Sequence, residues 1–342
     1  MKLATLAAAL LALPLASCAE TRAIPGPVMA QHGSQGTMFV ANKRGASLSR
    51  IDIANGAETH RVDTCENPHE LTVSPDGAQV LVACYSGSGL ELFRATDLRR
   101  LGAVELGENA RVHSAVWLTD GNIVAGAEGR GTLFRASNVI MRDVQSPIMG
   151  LREIGEAGNG PGPHLLAVDD ARKIAWGTVI PTGEVVRYDL AAGRETARRR
   201  IGEQIEAIAL SPDGTDLWVA SNSQNSASRL DPDTLEFQQG VGTGETPIRL
   251  AFHPSGDWVV TSNYGGGDLT VIDARRGEVE RRIVVSNSAE AAQVTLAFNA
   301  DGSRLYVAET ANDTIAEIDF ASGEVLRRIR TGPGGDGLAI VE

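Results

Sequence analysis

Three of the six histidines in this 342-residue chain, His69, His113 and His164, occupy one repeated position, two residues before the first core aliphatic of a short apolar run. The same position in four later runs holds Glu206, Ile248, Val294 and Asp336. Five ionisable groups at one repeated position could do chemistry. Imidazoles from neighbouring segments, flanked by carboxylates, suit a divalent transition metal bound by His69, His113 and His164 with an open coordination position. They equally suit a ligand-binding arc of His69, His113, His164, Glu206 and Asp336, or a general base and polarising groups for hydrolysis. A plainer reading treats His69 and His164, each preceded by proline, as packing residues copied with the repeat. No strict metal-ligand spacing accompanies the histidines, so no cofactor is expected and a divalent metal stays a lesser candidate.

A repeat must position these residues. Ser74-Pro75-Asp76-Gly77, Leu118-Thr119-Asp120-Gly121, Ser211-Pro212-Asp213-Gly214, His253-Pro254-Ser255-Gly256 and Asn299-Ala300-Asp301-Gly302 each separate two apolar runs, mostly 42 to 46 residues apart. Short strands at that period indicate a β-propeller. The second strand of the unit recurs at 37–42, 80–84, 123–127, 174–178, 217–221, 258–262 and 305–309, which gives seven blades. In the fifth unit the four runs are 207–210, 217–221, 227–230 and 235–239. Third strands end in Asp52, Asp189, Asp231, Asp273 and Asp319, usually with glycine four residues on, the composition of a tight turn. Arg94 and Arg135 replace that aspartate in the second and third units. The final run, 337–341, is a first strand with no second strand after it and is expected to complete the first blade, with Val28 to His32 as a weaker rival. The expected fold is all-β: a seven-bladed propeller of four-stranded antiparallel blades over residues 36–342, closed by the C-terminal strand.

Residues 1–17 read as a secretory signal, with Leu15-Ala16-Ser17-Cys18 in the form of a lipoprotein cleavage site. Cys18 is then the lipidated residue and 18–35 a tether. Ala19, not aspartate, follows it, which points to the periplasmic face of the outer membrane. In that oxidising compartment Cys65 and Cys84 are a disulfide candidate, because the Ser74–Gly77 turn returns residue 84 to the level of residue 69. A free thiol pair and thiolate metal ligands are the alternatives. A net charge of −12 argues against nucleic acid, and the arginine pairs on outer strands (Arg99-Arg100, Arg198–Arg200, Arg281-Arg282, Arg327-Arg328) read as edge protection. A monomer is expected, held to the membrane by its lipid alone.

Leu305-Tyr306-Val307-Ala308, Leu269-Thr270-Val271-Ile272-Asp273 and the Ser-Pro-Asp-Gly turns resemble the YVTN-type, YncE-like repeat of extracytoplasmic bacterial propellers across residues 36–342. Ser262–Gly267 and Pro247–Pro254 also resemble lactonase-type seven-bladed propellers. That second resemblance implies a hydrolase of sugar or dicarboxylate lactones, with His164 and Arg249 at matching places and Glu206 or Glu309 supplying the acid. The family's own glutamate position is not matched, since Tyr264 follows Asn263. The first resemblance implies binding of a small molecule or a periplasmic protein at the channel mouth. Metal or tetrapyrrole handling, or service to a periplasmic redox enzyme, is a further alternative. The glycine-rich stretch from Gly155 to Gly162 lacks the lysine of a phosphate loop and reads as a flap over the mouth.

Overall fold

Alternating apolar residues along short strands, broken every few residues by Asx and glycine turns, leave each sheet with two faces to bury. The chain answers by stacking sheets around an axis. In the computed structural model, which describes residues 35–137, 151–154 and 161–342, seven four-stranded antiparallel sheets form the blades. Blade one contains the last strand of the chain: Gly335–Val341 is its inner strand, followed outward by Thr37–Asn42, Ser47–Asp52 and Ala57–Asp63. Phe39 pairs with Ala339 and Met38 with Ile340, so the C-terminus closes the ring as the repeat implies. The competing run at Val28–His32, the signal, Cys18, the tether and most of the Gly155–Gly162 loop lie outside the described residues.

The apolar core lies between blades. Seven buried clusters correspond to the seven blade interfaces. The one that welds the ring joins Met38, Val40 and Ile51 of blade one to Val294, Tyr306 and Ile315 of blade seven. Trp176 of blade four is fully buried, and its Nε1 donates to the Pro232 carbonyl of blade five at 2.8 Å, so the indole has apolar and polar partners at once.

The third-to-outer turns behave as their composition implies. Asp189 and Asp273 accept backbone N–H groups at 2.8 Å, and Gly193 and Gly277 take φ of 66° and 63°. Blades two and five lack the glycine, and there Leu98 and Leu235 take the left-handed conformation themselves at 58° and 59°. Leu235 is thus a turn residue, and the outer strand of blade five runs Phe237–Gly242, later than its sequence pattern indicates.

These turns also receive arginines from the preceding blade. Arg135 donates to the Leu190 carbonyl and Arg229 to that of Ala274, each at 3.2 Å; Arg281 donates to Phe320 and Arg327 to Ile53. The last of these crosses the ring closure. Other rim arginines pair with carboxylates of their own blade, as Arg100 does with Glu91 and Arg328 with Glu309. The arginine in blade three is therefore a latch between blades, while Arg94 in blade two pairs locally with Asp97.

Candidate functional site at the channel mouth

Inner strands begin at the mouth, and there the ladders slip by one residue. In blade two Pro68 faces Cys84 but Leu71 faces Val82, so His69 and Glu70 share the space of one residue. Equivalent bulges enclose His113 in blade three, Glu206 in blade five, Ile248 in blade six, Val294 in blade seven and Asp336 in blade one. A bulge bends its strand and re-aims a side chain, which turns these residues toward the axis. His164 is placed differently. It sits just ahead of the inner strand of blade four, with its N–H donating to Thr178 O at 2.7 Å.

The three imidazoles form a stack. Ring centroids of His69 and His113 are 4.3 Å apart and those of His113 and His164 are 3.7 Å apart, with planes tilted by 34° and 35°. Tyr85, at the end of the second strand of blade two, stands edge-on to His69 and His113 at 4.9 and 5.7 Å. Carboxylates hold both ends of the stack. His69 Nδ1 lies 3.0 Å from Asp336, which also faces Lys43 at 3.7 Å. His164 Nδ1 lies 2.9 Å from Glu128, on the one-turn 3₁₀ segment Glu128–Arg130, and its Nε2 is 3.5 Å from Glu206.

Glu206 accepts Asn222 at 2.5 Å and Arg249 at 2.9 Å. Arg249 then spans the channel from blade six to Glu70 in blade two, with Nη2 and Nε at 3.0 and 3.1 Å. The Arg249 side chain is 8% exposed and is thus a buried cation between two carboxylates.

These contacts separate the titration of neighbouring groups. Burial pushes His113 well below its usual 6.5, and the positive charge of His164, His69 and Arg249 pushes the same way. Its Nδ1 makes no hydrogen bond among the described residues. Burial also opposes a charge on His164, but Glu128 and Glu206 outweigh it and raise its pKa. Burial likewise opposes Glu206, yet the bond from His164 and the charge of Arg249 hold it down at about 2. Asp336 is lowered in the same way, with His69 overcoming the effect of burial. Chemically, the mouth is a buried imidazole of depressed pKa between two imidazoles that face carboxylates.

His69, His113, His164, Glu206 and Asp336 therefore come together, and Arg249 with them. Ile248 and Val294 complete the ring as its apolar arc. Glu309 does not join this group: it is fully buried and bonded to Arg328 and Thr314. The three imidazoles, tilted by 34° and 35° to one another, do not form a group with ligand atoms all within 4.8 Å of one another. Among the described residues, the group of His, Cys, Asp or Glu with ligand atoms all within 4.8 Å of one another is instead Cys65, Cys84 and Glu91. The period of the repeat did not reveal Glu70, Tyr85, Arg111, Glu128 or Lys43. Glu70 had a signal, its place beside His69; the others lie in loops whose approach only the closed ring creates.

Beside the stack opens a cleft of about 540 Å³, lined by Tyr85, Ser86, Gly87, Ser88, Glu108, Asn109 and Arg111. Arg111 covers the Tyr85 ring at 4.8 Å and faces Glu128 at 3.6 Å. A larger cleft of about 920 Å³ runs along Arg194–Arg198 on the outer strand of blade four and reaches Gly131 and Pro161, each three residues from Glu128 or His164.

The YNCE-like beta-propeller family matches residues 182–338, from the middle of blade four to the closing strand. The chain is a β-propeller, and over those residues it is similar to the YncE-like type. Uncharacterized protein YncE of Escherichia coli strain K12 is 27% identical over 109 residues, and its counterpart in strain O157:H7 is 26% identical over 106. These matches cover 30% and 29% of this chain, and they span 31% and 30% of the relatives' own length. Among solved structures, a functionally unknown protein from Desulfotomaculum acetoxidans DSM 771 superposes with a TM-score of 0.72 over 90% of this chain and 99% of its own, at 14% identity. Hydrazine synthase of Kuenenia stuttgartiensis gives 0.66 at 16% identity, over 83% and 92% of the two chains. Dihydro-heme d1 dehydrogenase NirN gives 0.63 at 18% identity, over 88% and 64%. At such identities the likeness is one of fold, so any function for this ring must be argued from its own residues.

Proposed function

We propose that this protein is an exported, lipid-anchored propeller that binds a small ligand in the cleft at its channel mouth. One observation carries the reading: Tyr85 both lines the cleft and packs against two imidazoles of the stack, which supports treating the open volume and the ionisable hub together. Arg111 at the cleft wall supplies an exposed cation, which favours a ligand with an acidic group. The anchor rests on Cys18 and the apolar leader ahead of it.

A lactonase-like hydrolase is the second reading, because His164, Glu206 and Arg249 are contiguous. The titration of Glu206 argues against it. An effective general base titrates near working pH, whereas Glu206 is held at about 2.

The test is a thermal-shift screen of the mature chain against small organic acids, sugars and lactones. At least one acid is expected to raise Tm, with Arg111→Ala or Tyr85→Ala removing the shift. If no member binds, or if binding ignores both substitutions, the cleft is not the site. Lactone turnover that is lost in His164→Ala would favour the hydrolase instead. Fractionation of Cys18→Ala checks the anchor, the expected result being release from the membrane.

A further inference from the structure

Cys65 and Cys84 are joined by a disulfide, with Cα atoms 5.8 Å apart. Glu91, on the third strand of the same blade, brings a carboxylate oxygen to within 4.8 Å of both sulfurs. Neighbours fix that carboxylate: it accepts the Cys65 N–H at 2.9 Å, while Arg100 holds its other oxygen at 2.9 and 3.1 Å. Cys84 is buried in the strand, but Cys65 is only half-buried in the loop before the inner strand, within reach of a small thiol. Reduced to thiolates, these two sulfurs and the oriented carboxylate make the donor set of a thiophilic cation.

We propose that Cys65, Cys84 and Glu91 form a metal site for a thiophilic d¹⁰ cation such as Zn²⁺, closed while the disulfide is intact and opened by a dithiol reductant. The dithiol gives up two electrons and two protons and leaves as its own disulfide; the Cys65–Cys84 bond breaks and each sulfur takes one proton. Zn²⁺ then displaces both protons, binding two thiolates and one Glu91 oxygen, with water as the fourth ligand. Thiolates on a tetrahedral zinc stand about 3.8 Å apart, given bonds of about 2.3 Å. Side-chain rotation supplies that separation from the present Cα spacing. The site adjoins the mouth, since Cys84 precedes Tyr85 and Cys65 lies four residues before His69. It does not depend on the mouth's binding a ligand.

The test titrates the full mature chain with Zn²⁺ against a chromophoric chelator. One sample is oxidised; the other is reduced with dithiothreitol and freed of it anaerobically. One equivalent bound by the reduced chain and none by the oxidised chain is expected. Glu91→Gln should weaken binding at least tenfold with an unchanged circular dichroism spectrum, and Cys65→Ser should abolish it. Cobalt(II) in place of zinc should show thiolate charge-transfer bands. Equal uptake by the oxidised chain, no uptake by the reduced chain, or wild-type affinity in Glu91→Gln overturns the proposal. If Cys65→Ser fails to fold, the oxidised wild type and Glu91→Gln still decide it.

Discussion

Arg249 at the hub and Arg276 on the rim each face more than one carboxylate, yet their side chains are 8% and 59% exposed. Water screens the rim pair, and such pairs contribute about 0–1 kcal/mol. At the hub the same chemistry is desolvated, and losing one partner strands a buried charge. Rim arginines thus keep outer edges soluble and latch blades through carbonyls, whereas Arg249 fixes the distance between blades two and six across the channel. Sequence position does not separate the two roles; burial does.

The contrast can be broken most directly at Arg249. Arg249→Met strips Glu70 of its guanidinium and leaves Glu206 with only Asn222 and His164, and is expected to cost about 3–5 kcal/mol in urea unfolding. Adding Glu70→Gln and Glu206→Gln should recover most of that loss; no recovery would mean that the guanidinium acts by packing alone. Removing the disulfide with Cys65→Ser should cost about 3 kcal/mol, the chain-entropy value for a loop of this length, read by the same titration.

Acid sharpens the comparison. Glu206 is depressed to about 2, so its contribution is present above its unfolded value near 4.5 and is lost as pH falls through 2. His113 is also depressed, so its contribution is present above 6.5 and fades below that, once the unfolded imidazole takes a proton that the buried ring refuses. His164 has the opposite sign: its folded pKa is raised, so its contribution is full below 6.5 and is lost as pH rises through the folded value. Each pH unit of separation corresponds to about 1.4 kcal/mol. In stability measured against pH, His113→Gln should remove the loss that sets in just below 6.5. The smallest effect is at the rim: Arg276→Ala should change stability by less than about 1 kcal/mol and salt should shrink the difference.

Blade number, ring closure and the half-cystine pair were legible because each follows from a period or a turn that local residues encode. The His69-His113-His164 column was legible for the same reason, since identical places in a repeat come together in a ring. Its meaning was less legible. The bulges that turn the column inward leave no mark in an alternating pattern, so Glu70 passed as an ordinary strand residue. Arg249 was singled out by resemblance, but its reach to Glu70 depends on two blades standing opposite each other after closure. Tyr85, Arg111 and Glu128 come from loops, where spacing carries no geometric information.

The imidazoles of the hub are electrostatically sorted: two acids raise the pKa of His164, while burial depresses that of His113 beside it. The most direct measurement is a pH titration of the histidine ring resonances by nuclear magnetic resonance. His164 is predicted to titrate above 6.5, while His113 stays neutral well below it. If His113 titrates near 6.5, or His164 below it, the hub is not sorted.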